Sequence, residues 1–335
     1  MAGNANAKIK LLVLADIFKQ YSDEDHILNS ADIIDKLEEA GITAERKSLY
    51  SDISILREYG MDIINATTPK KGFFLGSRDF ELAEVRLLSD AVRAADFITP
   101  AKTRSLLIKI GKFASQYQEK KLKEQLYIDE KSKCSNEEIY YSIDALDNAI
   151  KSNRKVTLQY SKRVLGEKYT ARKESRSFTL SPYALIWSND HYYLICNNAK
   201  YDNLMHLRID RIHSVEITDD LVRPFQEVCN YKNFFNVADY ANKVFNMYSG
   251  ETETVELLCD GSILEQILDR FGENVHLMKG ENDNSFKVRF TAAINEGLVS
   301  YIMQFGASAR VVFPEKLQGM VIERAKEICN AYAGS

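Results

Sequence analysis

Apolar positions recur at helical spacing through the first third of the chain. In residues 8–21, Ile9, Leu12, Val13 and Ile17 share one side of a 3.6-residue period, and the remainder is polar. A second helix is expected over 31–41, with Ser30 as its cap, Ile33, Ile34 and Leu37 inward and Gly41 as its stop. Thr43 is expected to cap a third helix over 44–59, with Leu49, Ile53 and Leu56 inward. The few residues between the second and third helices give helix-turn-helix spacing. After Gly60, residues 61–65 and 72–75 read as two short strands joined by a polar loop, a wing. Residues 79–117 read as two more helices broken at Thr99-Pro100, where proline fits a helix start. Residues 118–136 are polar and charged and read as a linker, followed by a helix over 136–152.

From there the period falls from 3.6 to 2. Residues 155–160 form a strand with Val156, Leu158 and Tyr160 on one face. A basic stretch follows, read as a charged, solvated hairpin: Arg154, Lys155, Lys162, Arg163, Lys168, Arg172, Lys173 and Arg176 lie between 154 and 176. Further strands are expected over 183–187, 191–197 and, with a break, 204–217. Ser188-Asn189-Asp190 and residues 197–202 are the turns between them. In the last strand Met205, Leu207 and Ile209 point one way, and His206, Arg208 and Asp210 the other. The sum is a small, mostly antiparallel five-strand barrel. From Pro224 the chain turns aromatic and loop-rich, and then runs β-α-β-β-α-β with a last helix, the order of a ferredoxin-like sandwich. The fold class expected is therefore multidomain α+β. It comprises a winged helix-turn-helix over 1–77, a helical connector over 78–152, a β-barrel over 153–223 and a C-terminal α/β sandwich over 224–335.

The 335 residues suit two or three domains, and 45% hydrophobic with 27% charged residues lets each bury a core. No apolar run is long enough for a bilayer, and the chain does not open on a signal segment, so no membrane partner is expected. Five scattered cysteines (Cys134, Cys196, Cys229, Cys259, Cys329) point to reduced thiols and a cytoplasmic setting. The net charge of −4 is unevenly spread: by count, −3 over 1–77, −1 over 78–150, +5 over 151–223 and −5 over 224–335. Residues 41–78 alone carry +2, so the charge of the first module is polarised. A basic third module suits an anionic ligand.

Ser181-Pro182, Tyr192-Tyr193-Leu194 and Leu207-Arg208-Ile209-Asp210-Arg211-Ile212 resemble, in order, the WYL domain of bacterial transcriptional regulators, with Tyr192 where Trp is usual. Residues 41–63 resemble the winged helix-turn-helix at the N-terminus of such regulators. Arg46 and Asp52-Ile53 match that pattern, while Lys47-Ser48-Leu49 and Ser51 depart from it. Residues 301–306 and Val312-Phe313-Pro314-Glu315 resemble the second-helix signature of the extension that follows WYL domains, with Tyr301 where Trp is more usual. The resemblance implies an SH3/Sm-like barrel that binds a ligand, in several members a nucleotide or nucleic acid. It also implies an extension used in oligomerisation or ligand capping.

The residues themselves support a DNA reading. The outward, early side of the third helix carries Arg46, Lys47, Ser48, Tyr50 and Ser51, side chains suited to phosphates and base edges in a major groove. Lys70 and Lys71 at the wing tip suit a neighbouring phosphate. For the effector, Arg208 and Arg211 suit an anion, His206 and Ser181 could donate to it, and Tyr160 or Tyr193 could stack a base. The plainer alternative is that Asp210 pairs with Arg211 and that the tyrosines are core. Five histidines show no metal spacing with the cysteines, and there is no phosphate-cradling glycine loop or nucleophile elbow, so no cofactor, metal or enzymatic activity is expected. The partners expected are double-stranded DNA, an anionic small-molecule or nucleic-acid effector and a second copy of the chain. The rival class is a nucleic-acid-associated scaffold without sequence-specific operator recognition.

Overall fold

The computed structural model describes residues 2–124, 133–166, 169–188, 190–245, 247–248 and 250–333. Lys168, Asn189 and part of the expected linker, residues 125–132, lie outside the described residues. The chain is a mixed α/β protein with eleven α-helices and three sheets among the described residues, and no described helix is long and apolar enough to cross a membrane. It divides into two compact units, Met1–Ser135 and Asn136–Ser335.

The first unit opens with α1 (Ala2–Tyr21), α2 (Ser30–Glu39), α3 (Arg46–Glu58) and the hairpin β1 (Ile63–Ala66) and β2 (Gly72–Leu75). Its core is the inward stripe of each helix: Leu14 and Phe18, Ile33 and Leu37, Leu49 and Ile53. The caps differ from expectation. Asn29, not Ser30, starts α2: its side chain accepts from Ala31 N (2.8 Å) and Asp32 N (2.9 Å), and the Asp32 carboxylate accepts from Asn29 N at 2.9 Å. That reciprocal capping box satisfies more orphan amides than a serine one residue later could. Thr43 does not cap α3; Glu45 occupies the cap position and makes no side-chain bond there. The α2 end is a Schellman turn, with Gly41 at φ +77°, its N–H on Glu38 O and that of Ile42 on Leu37 O. Leu28 exchanges backbone bonds with Phe73, and a Cβ on Gly72 would sit 2.3 Å from Leu28 O, which is why glycine begins β2.

Helices α4 (Leu82–Ala94) and α5 (Pro100–Gly111) follow, with Thr99 capping α5 and Pro100 at its first position. The stretch read as a linker instead begins with a helix, α6 (Gln116–Glu124). Ser115 and Gln118 cap it reciprocally at 3.1 Å each way, and Leu122 is its single buried apolar anchor, in a cluster with Val85 and Ala114. Ser115 Oγ also donates to the Asp23 carboxylate, and the Tyr117 ring lies flat on His26 at 3.6 Å, which ties α6 to the turn after α1.

The second unit contains α7 (Ile139–Lys151), β3 (Arg154–Leu165), β4 (Ala171–Ser188), β5 (His191–Asn197), β6 (Met205–Arg208), a 3-10 turn (Ile209–Arg211) and β7 (Ile212–Leu221). The five strands pair antiparallel in the order β6-β5-β4-β3-β7. The expected barrel is not closed by hydrogen bonds: β6 and β7 are the two edges and do not pair with each other. Only the three-residue turn joins them, so the sheet must curl to bring its edges within roughly 10 Å. The long strand β4 makes this possible. It pairs with β3 through Leu180 and with β5 from Ser181 onward, and its register to β5 shifts just past Pro182, which has no N–H to give a ladder. Buried Val156, Leu158, Leu180, Leu194, Leu207 and Ile212 fill the interior, with Ile139, Leu146 and Ala149 of α7 packed on the sheet.

After α8 (Val237–Lys243) come β8 (Thr252–Asp260), α9 (Leu264–Phe271), β9 (His276–Lys279), β10 (Ser285–Ala293), α10 (Glu296–Met303), β11 (Ala309–Phe313) and α11 (Glu315–Ala333). The antiparallel sheet runs β11-β8-β10-β9, and its core includes Val255, Leu257, Ile267, Val288, Leu298, Ile302 and Leu317. The element order matches the sequence reading.

Candidate nucleic-acid interface and effector site

Helix α3 buries Leu49, Ile53 and Leu56, and this fixes what faces outward: Arg46, Lys47, Tyr50 and Ser51 are exposed. Ser48 is half-buried and committed locally; its hydroxyl donates to Glu45 O at 2.9 Å and accepts from Lys10 Nζ at 3.2 Å. The same lysine forms an ion pair with Asp52 at 2.5 Å, with both side chains mostly buried, so α1 holds α3 by one cation bridging two of its turns. Tyr50 packs edge-on against Phe73 of β2, its hydroxyl 3.4 Å from Ser30 Oγ. Ser30 and then Arg46 hold the Tyr50 phenol below its usual range. Lys70 is tied back to Asp32 on α2 at 2.7 Å, whereas Lys71 makes no ion pair among the described residues. Arg46, Lys47, Ser51 and Lys71 are thus the side chains left to reach an external anion.

In the second unit, ladder register places Tyr193 directly opposite Arg208. Arg208 donates to Asp210 through two atoms, Nε to Oδ1 at 3.0 Å and Nη2 to Oδ2 at 2.8 Å. Burial works to lower the Arg208 pKa, but the Asp210 carboxylate outweighs it and raises it. Tyr193 is half-buried; desolvation raises its pKa against the pull of Arg208 and Arg211. Tyr160 stands opposite Ile212 in the ladder, at the end of the turn, with its ring buried in the core. Arg211 makes no ion pair among the described residues, so it is Arg208, not Arg211, that Asp210 engages. Tyr160, Tyr193, Arg208 and Arg211 therefore gather around Asp210 at the strand-to-turn corner.

Two expected members do not join them. Ser181 is buried, accepts from Arg223 N at 2.9 Å, and lies opposite Asn197, five residues (about 16 Å) down β4 from the Tyr193 partner Ile186. His206 shares the Arg208 face, but its Nε2 is paired with the Tyr240 hydroxyl at 2.8 Å and burial takes its pKa down to about 4. A neutral imidazole already bonded to a phenol is no phosphate donor at neutral pH. The aromatic segment over 225–247 is what sequence reasoning missed. Phe235 and Tyr240 pack over Ala184, Ile195 and Val228, and a cavity of about 680 Å³ opens beside them, lined by Leu204, Cys229, Tyr231, Tyr240 and Lys243 among others. The dense aromatics were visible in the chain, but no periodicity said which face they would cover.

This second unit carries two recognised modules in tandem. Residues 142–217 match the WYL domain, and residues 251–329 match the WCX domain. None of the curated proteins matches the chain. Among solved structures it is similar to Proteasome accessory factor B/C (PafBC) of Arthrobacter aurescens, at 16% identity and a TM-score of 0.28, over 93% of this chain and 47% of that one. It is also similar to a CRISPR Cas-related protein, at 14% identity and a TM-score of 0.37, over 98% of this chain and 85% of that one. The chain thus spans about half the length of the first of these.

Proposed function

We propose that the protein is a DNA-binding transcriptional regulator, not an enzyme, whose first 77 residues act as a winged helix-turn-helix and whose WYL domain senses an anionic effector. The observation that carries the reading is the pairing of a helix exposing Arg46, Lys47 and Ser51 beside a two-stranded wing with a downstream WYL–WCX tandem. In this reading α3 enters a major groove and Lys71 meets a flanking phosphate. The curled five-strand sheet is an open SH3/Sm-like barrel. The β11-β8-β10-β9 layer is a ferredoxin-like extension.

The effector is a nucleotide or short single strand held at the Arg208–Arg211 corner, with Tyr193 offering a stacking face. To bind, it must compete with Asp210 for Arg208, which favours a ligand of at least two negative charges. The protein works in the cytoplasm as a homodimer reading two half-sites. Selection of bound fragments from a random duplex pool tests the DNA reading: an enriched two-fold sequence is expected. Recovery without any enriched sequence would favour the scaffold alternative, and a monomer by light scattering at micromolar concentration would remove the dimer.

A further inference from the structure

Past Tyr160 and Arg176, no third strand pairs with β3 or β4 among the described residues. β7 pairs with β3 no further out than Tyr160, and β5 takes up β4 only from Ser181. Residues 161–165 and 171–175 therefore form a free-standing ribbon, a form that is marginal on its own. Its two faces differ. Antiparallel register puts Thr157 opposite Thr179, Ser161 opposite Ser175 and Arg163 opposite Lys173, all on one face. The hydroxyls touch across the ladder, Thr157 to Thr179 at 3.2 Å and Ser161 to Ser175 at 2.8 Å. Gln159 and Ser177 complete this lane between them. Arg163, Lys173, Ser175, Ser177 and Thr179 are exposed.

Two like charges directly opposite each other repel and weaken a ladder. Among the described residues neither Arg163 nor Lys173 makes an ion pair, and no carboxylate stands on this face of β3 or β4. The nearest in register is Glu216 of β7, opposite Thr157, six residues down the lane from Arg163 and so about 20 Å away. The underside, by contrast, sets Glu174 opposite Lys162. A row of hydroxyls and an amide leading to an uncompensated cation pair is the set of side chains that contacts phosphate and sugar oxygens. A two-stranded ribbon also has the width to lie in a groove.

We infer that the outer lane of the β3–β4 ribbon, from Thr157/Thr179 to Arg163/Lys173, binds the phosphodiester backbone of a nucleic acid without regard to sequence. This site uses no residue of α3 or of the Arg208 corner, and it does not depend on either of them. The repulsion between Arg163 and Lys173 is relieved when a phosphate lies between them.

The test uses the full chain carrying Arg46→Ala and Lys47→Ala, so that α3 is weakened throughout. Binding to a random 20-base-pair duplex and to a 20-nucleotide thymidine strand is measured by anisotropy across a salt series. Adding Arg163→Ala and Lys173→Ala should flatten the slope of log affinity against log salt by about 1.8 if the lane holds duplex, or about 1.4 if it holds a single strand. Lys200→Ala with Lys232→Ala removes the same charge elsewhere in the second unit and should leave both slopes unchanged. Slopes unmoved by the lane variant, or moved equally by the control, would overturn the inference. Arg163→Glu adds a readout of opposite sign: facing Lys173, it should raise the melting temperature while weakening binding several-fold. Unchanged binding, or a fall in both quantities, would also overturn it.

Discussion

Arg208 and Asp210, two residues apart across the bend from β6 into the 3-10 turn, hold each other at two points, 3.0 and 2.8 Å. Arg208, which stands opposite Tyr193 in the ladder, is thus neutralised until something displaces its carboxylate. Asp210→Asn should tighten binding of a nucleoside triphosphate, while Arg208→Ala should abolish it. Calorimetry with a nucleotide panel checks both. Equal affinity in wild type and Arg208→Ala would remove the corner from the effector site. Each change removes a charge-assisted pair and should also cost roughly 1.5–3 kcal/mol of stability.

Arg46→Ala and Lys47→Ala should weaken duplex binding without changing the far-ultraviolet circular dichroism. A lost arginine–base contact is worth about 1–3 kcal/mol and relaxes sequence preference at one position. A lost phosphate contact weakens all sequences alike and lowers the salt slope by about one unit. Titrating operator and random duplex in parallel separates the two. If the double variant binds operator like wild type, α3 is not the reading helix.

The Lys10–Asp52 pair makes a stability prediction inside the first unit. Both side chains are largely buried, so Lys10→Ala leaves Asp52 without its cation in a poorly solvated place. The loss should be ~3 kcal/mol, the low end for breaking a buried pair. It should appear in denaturant unfolding of the first unit, and DNA affinity should fall with it because Ser48 loses the same donor. An unfolding midpoint within error of wild type would show that solvent screens the pair.

His206 gives a pH dependence whose sign is fixed by its depressed pKa. The unfolded chain takes up a proton near pH 6.5 and the folded chain only near 4, so between those values the unfolded state binds more protons. Stability is therefore full above about pH 6.5 and falls as the pH drops toward 4, by at most ~3 kcal/mol from this group. Thermal melts of wild type and His206→Gln at pH 7 and pH 4.5 check it: the difference between the two should shrink as the pH falls. A constant difference would mean that His206 titrates normally.

Much of this architecture could be read from periodicity, and the errors have specific causes. The stripes Leu14–Phe18, Ile33–Leu37 and Leu49–Ile53 were legible because each helix buries a face at its own spacing. Asn29 and Ser30 are both good caps by residue type, and only the returning Asp32 carboxylate distinguishes them. Helix α6 was missed because its nine residues, QYQEKKLKE, bury one apolar side chain; the Ser115–Gln118 box was its sole local sign. Arg208 and Asp210 were both singled out, yet sequence spacing could not say that Asp210 turns toward Arg208 and not Arg211. The His206–Tyr240 bond joins residues 34 apart across two elements, and no local pattern encodes it. Alternation along β6 gave the faces but not the closure, because whether edge strands pair depends on how far the whole sheet curls.

Strand β4 pairs with β3 over its first ten residues, five of them in the ribbon, and with β5 beside the Arg208 corner for the rest. Its length is consequently quantised. One extra residue between Lys173 and Ser177 would turn every side chain beyond it onto the opposite face and carry the lysine to the underside, unless a bulge absorbed it. Two extra residues would restore the alternation. Related chains that keep such an arm should therefore vary its length in steps of two, with any odd step marked by a glycine or a bulge near Pro182.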